Sequence, residues 1–251
     1  MSKKPVGLQL YTLRDETAKD FRGTLARVAE MGYRGVELAG NGGLDAGEMR
    51  QALAETGLKA YGSHVGLDQL ERNLPAVIAY HQEIGCEYLA CPWLPEGRRQ
   101  DGLDYQRLGM ALTEIGRKCG EAGLQLCYHN HAFEFQRFGG SLGLDLLYGA
   151  ADPRLVQAEL DLYWIEYAGQ DPAAYLRQMK GRCPLVHLKD MATDRHFTEV
   201  GEGTLDWPGI FAAAEDAGTK YYLVEQDDCR RPPLESVRIS LENLRRMGIL
   251  S

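Results

Sequence analysis

The 251-residue sequence holds no apolar run near the ~18–20 residues that a membrane-spanning helix requires. It is short of positive charge: 28 Lys and Arg stand against 36 Asp and Glu, a formal net charge of −8. That balance argues against non-specific nucleic-acid binding, which takes a basic face to displace counterions. No G-x-G-x-x-G or G-x-x-x-x-G-K segment occurs, so the usual backbone cradles for nucleotide phosphates are missing. The six cysteines (Cys86, Cys91, Cys119, Cys127, Cys183, Cys229) include no C-x-x-C pair, and several lie in apolar stretches. They read as reduced, mostly buried thiols. Low-complexity segments and linkers are absent, and at 44% hydrophobic the composition is that of an ordinary globular chain. Lys3 and Lys4 followed by Val6–Tyr11 outline a signal peptide, but the run is short, contains Gln9 and leads into Arg14-Asp15-Glu16. It reads as a first strand, and a cytoplasmic protein is expected.

What is present is a repeated alternation. Eight short apolar runs occur at residues 6–11, 35–38, 58–64, 88–93, 124–130, 156–163, 185–189 and 221–225. Each is too short for a helix, and they are rich in Val, Leu and Tyr. Longer segments between them carry helical spacing, as in Phe21, Leu25, Val28 and Ala29. Glycines at 32, 57, 85, 123 and 218 stand where helices should stop, just before the next run. Leu67-Asp68 and Asp206-Trp207-Pro208 read as helix starts with Asp as N-cap, and Pro233 or Ser236 opens the last helix. Parallel strands need crossovers, and eight strand–helix units fill this length as a (β/α)8 TIM barrel, an α/β fold with one domain over residues 1–251. A doubly wound open sheet is the alternative, and it usually carries the phosphate turn missing here.

In such a barrel, chemistry sits at the C-terminal ends of the strands. The runs end in an unusual set: Glu37; Ser63-His64; His129-Asn130-His131 with Glu134 beyond; Glu159-Leu160-Asp161; His187-Leu188-Lys189-Asp190; and Glu225-Gln226-Asp227-Asp228. Charged groups in a barrel mouth are costly unless paired or bound to metal. Six such strand ends together point to a divalent ion held by carboxylates and one or two imidazoles.

Several segments resemble the sugar phosphate isomerase/epimerase family, the xylose isomerase-like barrels. They are Gly7–Arg14, Gly35-Val36-Glu37, the run Tyr128-His129-Asn130-His131-Ala132-Phe133-Glu134-Phe135, Leu160-Asp161, Val186–Asp190, Gly201-Glu202-Gly203 with Asp206-Trp207, and Val224–Asp227. The resemblance spans nearly the whole chain. It implies one divalent metal held by Glu, Asp, His and Glu from strands 5 to 8, here Glu134, Asp161, His187 and Glu225. Many relatives carry Glu-Asn-His where this chain has His129-Asn130-His131, so the strand-5 ligand is either Glu134 or His129. Glu134 is preferred because three carboxylates keep the site hard and oxygen-rich, which favours Mn²⁺ over Mg²⁺, Co²⁺ or Zn²⁺.

Glu134 and Glu225 are then the catalytic pair. Placed on opposite faces of the carbon beside a carbonyl, one would remove a proton and the other return it through a metal-stabilised ene-diolate. His64, His129 and His131 would bind sugar hydroxyls or tune the ligands. Lys189 would stabilise oxyanion charge or pair with Glu159. Glu37 would contact substrate or a nearby cation, and Trp93 and Trp164 would stack on the sugar or pack the rim. Gly201-Glu202-Gly203 reads as a closing loop or a plain turn. Arg14, Arg98 and Arg99 read as surface charge.

The expected activity is metal-dependent isomerisation or epimerisation of a sugar. The alternative at the same site is a lyase acting on a keto-inositol or a 3-keto-glycoside. An abasic-site endonuclease would need more histidines, a three-metal cluster and a basic rim. A non-catalytic binding protein would have lost the metal ligands. The partner expected is a small sugar or cyclitol, with no nucleic acid and no membrane; a homo-oligomer is compatible with the sequence.

Overall fold

The computed structural model describes residues 3–250, so positions 1, 2 and 251 of the expected domain lie outside it. Eight parallel strands close into a barrel: β1 (Val6–Gln9), β2 (Gly35–Ala39), β3 (Lys59–His64), β4 (Tyr88–Cys91), β5 (Gln125–His129), β6 (Val156–Asp161), β7 (Leu185–Leu188) and β8 (Tyr221–Val224). Neighbours follow chain order, and Leu8 opposite Val224 closes β1 onto β8. Helices lie between the strands, so this is a (β/α)8 barrel in a single domain.

Local chemistry explains the elements. Asp20 accepts from the Gly23 amide to open the helix Phe21–Met31, and Asp206 does the same from Gly209 for Trp207–Ala217. Gly57 and Gly218 end their helices in left-handed conformations, at φ 71° and 80°. The helix expected to start on Asp68 is capped instead by Gly66, with Asp68 in its first turn, and Pro233 opens the last helix.

The apolar runs of β1 and β6 continue past the strand into another element. Residues Leu10–Leu13 form a 3₁₀ turn. Residues Leu162–Tyr167 form a helix because the Asp161 carboxylate accepts from the Trp164 amide, 3.1 Å away, and caps it. Two short hairpins, Arg137–Phe138 with Ser141–Leu142 and Asp190–Met191 with Phe197–Thr198, were not legible in the periodicity.

The strands' period of two divides the barrel interior into tiers. The lower tier is apolar: Tyr61, Tyr88, Ala90, Cys127, Leu185 and Leu223 form one cluster, with Tyr61 stacked on Tyr221 at 3.9 Å. Two residues further along β5, β7 and β8 the same inner face carries His129, His187 and Glu225. All six cysteines are free and five are buried, Cys229 being half-buried.

Candidate metal centre

Four buried side chains at the strand ends bring their donor atoms within 4.8 Å of one another: His129, Asp161, His187 and Glu225. His187 Nδ1 lies 2.7 Å from Glu225 Oε2, and His129 Nε2 lies 3.8 Å from Asp161 Oδ2. The Lys189 ammonium sits 2.8 Å from each of Asp161, Glu225 and Asp227. Its pairing is thus with these carboxylates and not with Glu159. Beneath this set, Glu159 Oε1 meets His64 Nε2 at 2.8 Å and His129 Nδ1 at 3.0 Å, and Glu37 Oε2 meets His187 Nε2 at 2.7 Å.

Glu134 is not among these groups. It is fully buried in the one-turn segment Phe133–Phe135, where Oε1 accepts from the Tyr128 hydroxyl at 2.7 Å and Oε2 from the His131 amide at 2.8 Å. The one-turn segment after β5 holds this carboxylate on those two donors. The donor set that the structure assembles therefore contains His129 where Glu134 was expected. The catalytic pairing of Glu134 with Glu225 is likewise not assembled.

The charges are strongly perturbed. Burial, opposed by Lys189 and His187, raises the Asp161 carboxyl to about 6. Burial and the positive His187 lower His129 to about 3, and burial lowers His131 to about 2, so both rings are neutral. His187 and His64 go the other way: burial opposes their charge, but the carboxylates around them outweigh it and raise both. Lys189 is likewise held charged against burial by Asp161, Asp227 and Glu225. Burial and the Glu159 charge raise Glu37 to about 7.

The donor set fits a divalent cation. Five carboxylates (Glu37, Glu159, Asp161, Glu225, Asp227) face one ammonium and two imidazoles that can carry charge. With all of them ionised, two negative charges are left over. A buried excess of that kind is stable only when matched.

Above the donors opens a cavity of about 720 Å³. Of the residues expected to bind substrate, His64, His129, His131, Lys189, Trp93 and Trp164 line it; Glu225 and Asp227 do too. Glu37 does not: it lies below, held by Gln9, His187 and His64, so the expectation of direct substrate contact is not met. Its place depends on Gly62, where a Cβ would lie 2.6 Å from Glu37 Oε1. Trp164 has one ring neighbour after another (Tyr163, Tyr167, Phe197, His131), while its Nε1 is buried without a partner. Trp93 is 47% exposed at the rim, edge-on to His131 and Phe133. Arg99 lies over the Phe133 ring at 3.8 Å, Arg14 over Tyr11 at 4.5 Å, and Arg98 pairs with Glu71.

Asp190 explains the segment that follows β7. Its carboxylate accepts from the amides of Met191, Gly201, Gly203 and Leu205 and from the Trp207 indole. A Cβ on Gly203 would lie 2.2 Å from Asp190 Oδ1, so glycine is required there. The Gly201-Glu202-Gly203 segment is a turn tied to Asp190.

Sequence reasoning left Glu159, Asp227, Gln9 and Phe133 without a role of their own in the site. Glu159 was detectable: it stands two residues before Asp161, on the same face of one strand.

Known proteins share this fold. An inosose dehydratase of Geobacillus kaustophilus is 24% identical over 266 residues, 89% of this chain and 86% of that protein. For an inosose dehydratase of Lacticaseibacillus casei the match (25% identity) covers 53% of this chain, which spans about half of that relative's length. A solved sugar phosphate isomerase/epimerase from Parabacteroides distasonis superposes with a TM-score of 0.85 at 26% identity, covering 100% of this chain and 96% of that one. The family model for the xylose isomerase-like TIM barrel matches residues 25–247. With an eight-stranded barrel, a strand-end donor set and that match over most of its length, the chain belongs to the xylose isomerase-like TIM barrel family.

Proposed function

We propose that the protein is a divalent-metal-dependent lyase that removes a proton beside the carbonyl of a keto-cyclitol or 3-keto-glycoside and eliminates the β-oxygen substituent. One observation carries this over epimerisation: Glu134, the carboxylate needed on the far face to return the proton, is bound by Tyr128 and the His131 amide and does not line the cavity. Elimination needs one base for carbon and one acid for the departing oxygen. Glu225 takes the α-proton, and the electron pair it leaves moves toward the carbonyl. The β-carbon–oxygen bond then breaks, and the oxygen takes a proton from the Lys189 ammonium, which lies 2.8 Å from Glu225. His64 and His131 hold the remaining hydroxyls, and Trp93 covers the outer face.

His129, Asp161, His187 and Glu225 would hold a divalent ion, which would supply the Lewis acidity that lets a carboxylate serve as the base. Two imidazoles and two carboxylates suit Mn²⁺, Co²⁺ or Zn²⁺ better than Mg²⁺, which prefers an all-oxygen shell. Among the described residues no helix is long and apolar enough to cross a membrane, and the location we propose is cytoplasmic.

The test is NMR-monitored turnover in D₂O by protein loaded with Mn²⁺. The substrates are a keto-inositol, a 3-keto-glycoside and a ketohexose. Loss of water or of the aglycone from either of the first two supports the proposal. Epimerisation of the ketohexose alone overturns it.

A further inference from the structure

Glu37 and Glu159 are fully buried, lie beneath the donor set and do not line the cavity. Two hydrogen bonds end on one oxygen of each. Glu159 Oε1 takes His129 Nδ1 at 3.0 Å and His64 Nε2 at 2.8 Å. Glu37 Oε2 takes His187 Nε2 at 2.7 Å and Gln9 Nε2 at 2.8 Å. His187 Nε2 also lies 3.0 Å from Glu159 Oε1, and His64 Nε2 lies 3.3 Å from Glu37 Oε2, so the two carboxylates together hold the lower nitrogens of the three rings.

An imidazole whose one nitrogen gives its proton to a carboxylate presents the other nitrogen's lone pair in a fixed direction. For His129 the free nitrogen is Nε2, on the Asp161 side; for His187 it is Nδ1, on the Glu225 side. We propose that Glu159 and Glu37 are positioning residues: they hold the lower nitrogens of His129 and His187 so that the upper ones face the metal. This rests on the reading that His129, Asp161, His187 and Glu225 hold that metal.

The lower group offers a competing arrangement, because His64, His129, Glu159 and His187 also bring donor atoms within 4.8 Å. Both groups cannot be filled together, since His129 and His187 would each have to give up both ring protons. An ion in the lower group would rest on Glu159, the only carboxylate there, which does not line the cavity, whereas Glu225 of the upper group does; His129 is common to both groups, and His64 of the lower group also lines the cavity. Two carboxylates below two imidazole ligands increase the ligands' basicity, and loss of such partners typically weakens metal binding about 10- to 100-fold.

The experiment uses protein with ¹⁵N-labelled histidine, followed by two-bond ¹H–¹⁵N correlation before and after Zn²⁺, with calorimetric Zn²⁺ titration of the wild type, Glu159→Leu and Glu159→Gln. The expected apo state of His129 is the Nδ1–H tautomer. Zn²⁺ should move His129 Nε2 and His187 Nδ1. Glu159→Leu should weaken Zn²⁺ binding by about 10- to 100-fold. Glu159→Gln, which keeps an acceptor oxygen, should recover part of that loss and the Nδ1–H tautomer. Zn²⁺ bound to His129 Nδ1 or His187 Nε2 places the ion in the lower group and overturns the proposal. Should no histidine of the wild type respond to Zn²⁺, the metal reading itself fails. The apo tautomer still judges the positioning role separately, and Nε2–H on His129 would refute it.

Discussion

Replacing Glu134 by glutamine separates the two ligand assignments for β5 and tests the physical account of this carboxyl. Burial raises Glu134 from 4.5 to about 7, against the Tyr128 hydroxyl and the His131 amide, which favour the charged form. The folded protein therefore keeps a proton that the unfolded chain releases between pH 4.5 and 7. Where the native state binds more protons, stability falls as pH rises, and a shift of this size is worth roughly 3 kcal/mol. Wild-type stability should fall by that amount, from this group, between about pH 4.5 and pH 8. The side chain introduced by Glu134→Gln cannot ionise. Its carbonyl can accept from the His131 amide, and its NH₂ can donate to the Tyr128 oxygen once that hydroxyl reverses. The variant should lie within about 1 kcal/mol of wild type at about pH 4.5, where both carry a neutral group. At about pH 8 it should be the more stable by about 2 kcal/mol or more. Urea denaturation of both proteins at the two pH values measures the difference, and other titrating groups cancel between them. Mn²⁺ titration of the same samples should give affinities within about threefold. A parallel pH dependence in the two proteins refutes the burial argument. Loss of Mn²⁺ binding restores Glu134 as the ligand and refutes the assignment to His129.

Three further outcomes follow from the geometry. His129→Ala should lower Mn²⁺ affinity by at least about 10-fold, read by calorimetry, with Glu134 unable to substitute from its hydrogen-bonded position. Asp190→Ala leaves five N–H donors without their acceptor, three of them on buried residues, and should cost about 3–5 kcal/mol in urea unfolding; a loss under about 1 kcal/mol would show that the turn does not depend on it. Trp93→Ala should change stability by less than about 0.5 kcal/mol, because the ring is 47% exposed, while raising KM; an unchanged KM removes Trp93 from the substrate surface.

Much of the candidate site was legible because strand ends are marked in sequence. Asp161, His187, Lys189 and Glu225 stand at the ends of apolar runs, and the structure brings their side chains together. The placement of Glu134 was not legible for a local reason: the turn after β5 closes through a hydrogen bond between the His131 amide and the carboxylate three residues later, which periodicity does not reveal. The Gly201–Gly203 segment was ambiguous in the same way, because its anchor, Asp190, lies eleven residues before Gly201 and becomes visible only when the turn folds back on it.

By itself, the sequence determined the architecture. Eight short runs separated by helical periods with glycine stops admit few ways to bury their apolar faces, and the barrel is the one that also uses the strand-end charges. Only the tertiary structure decided which charges meet. Glu37 on β2 and His187 on β7 are 150 residues apart and 2.7 Å from each other, because closing the barrel turns every inner face toward one axis. Which nitrogen of His129 and of His187 is tied to a carboxylate is decided by Glu159 on β6 and Glu37 on β2, and no pattern within one strand carries that information.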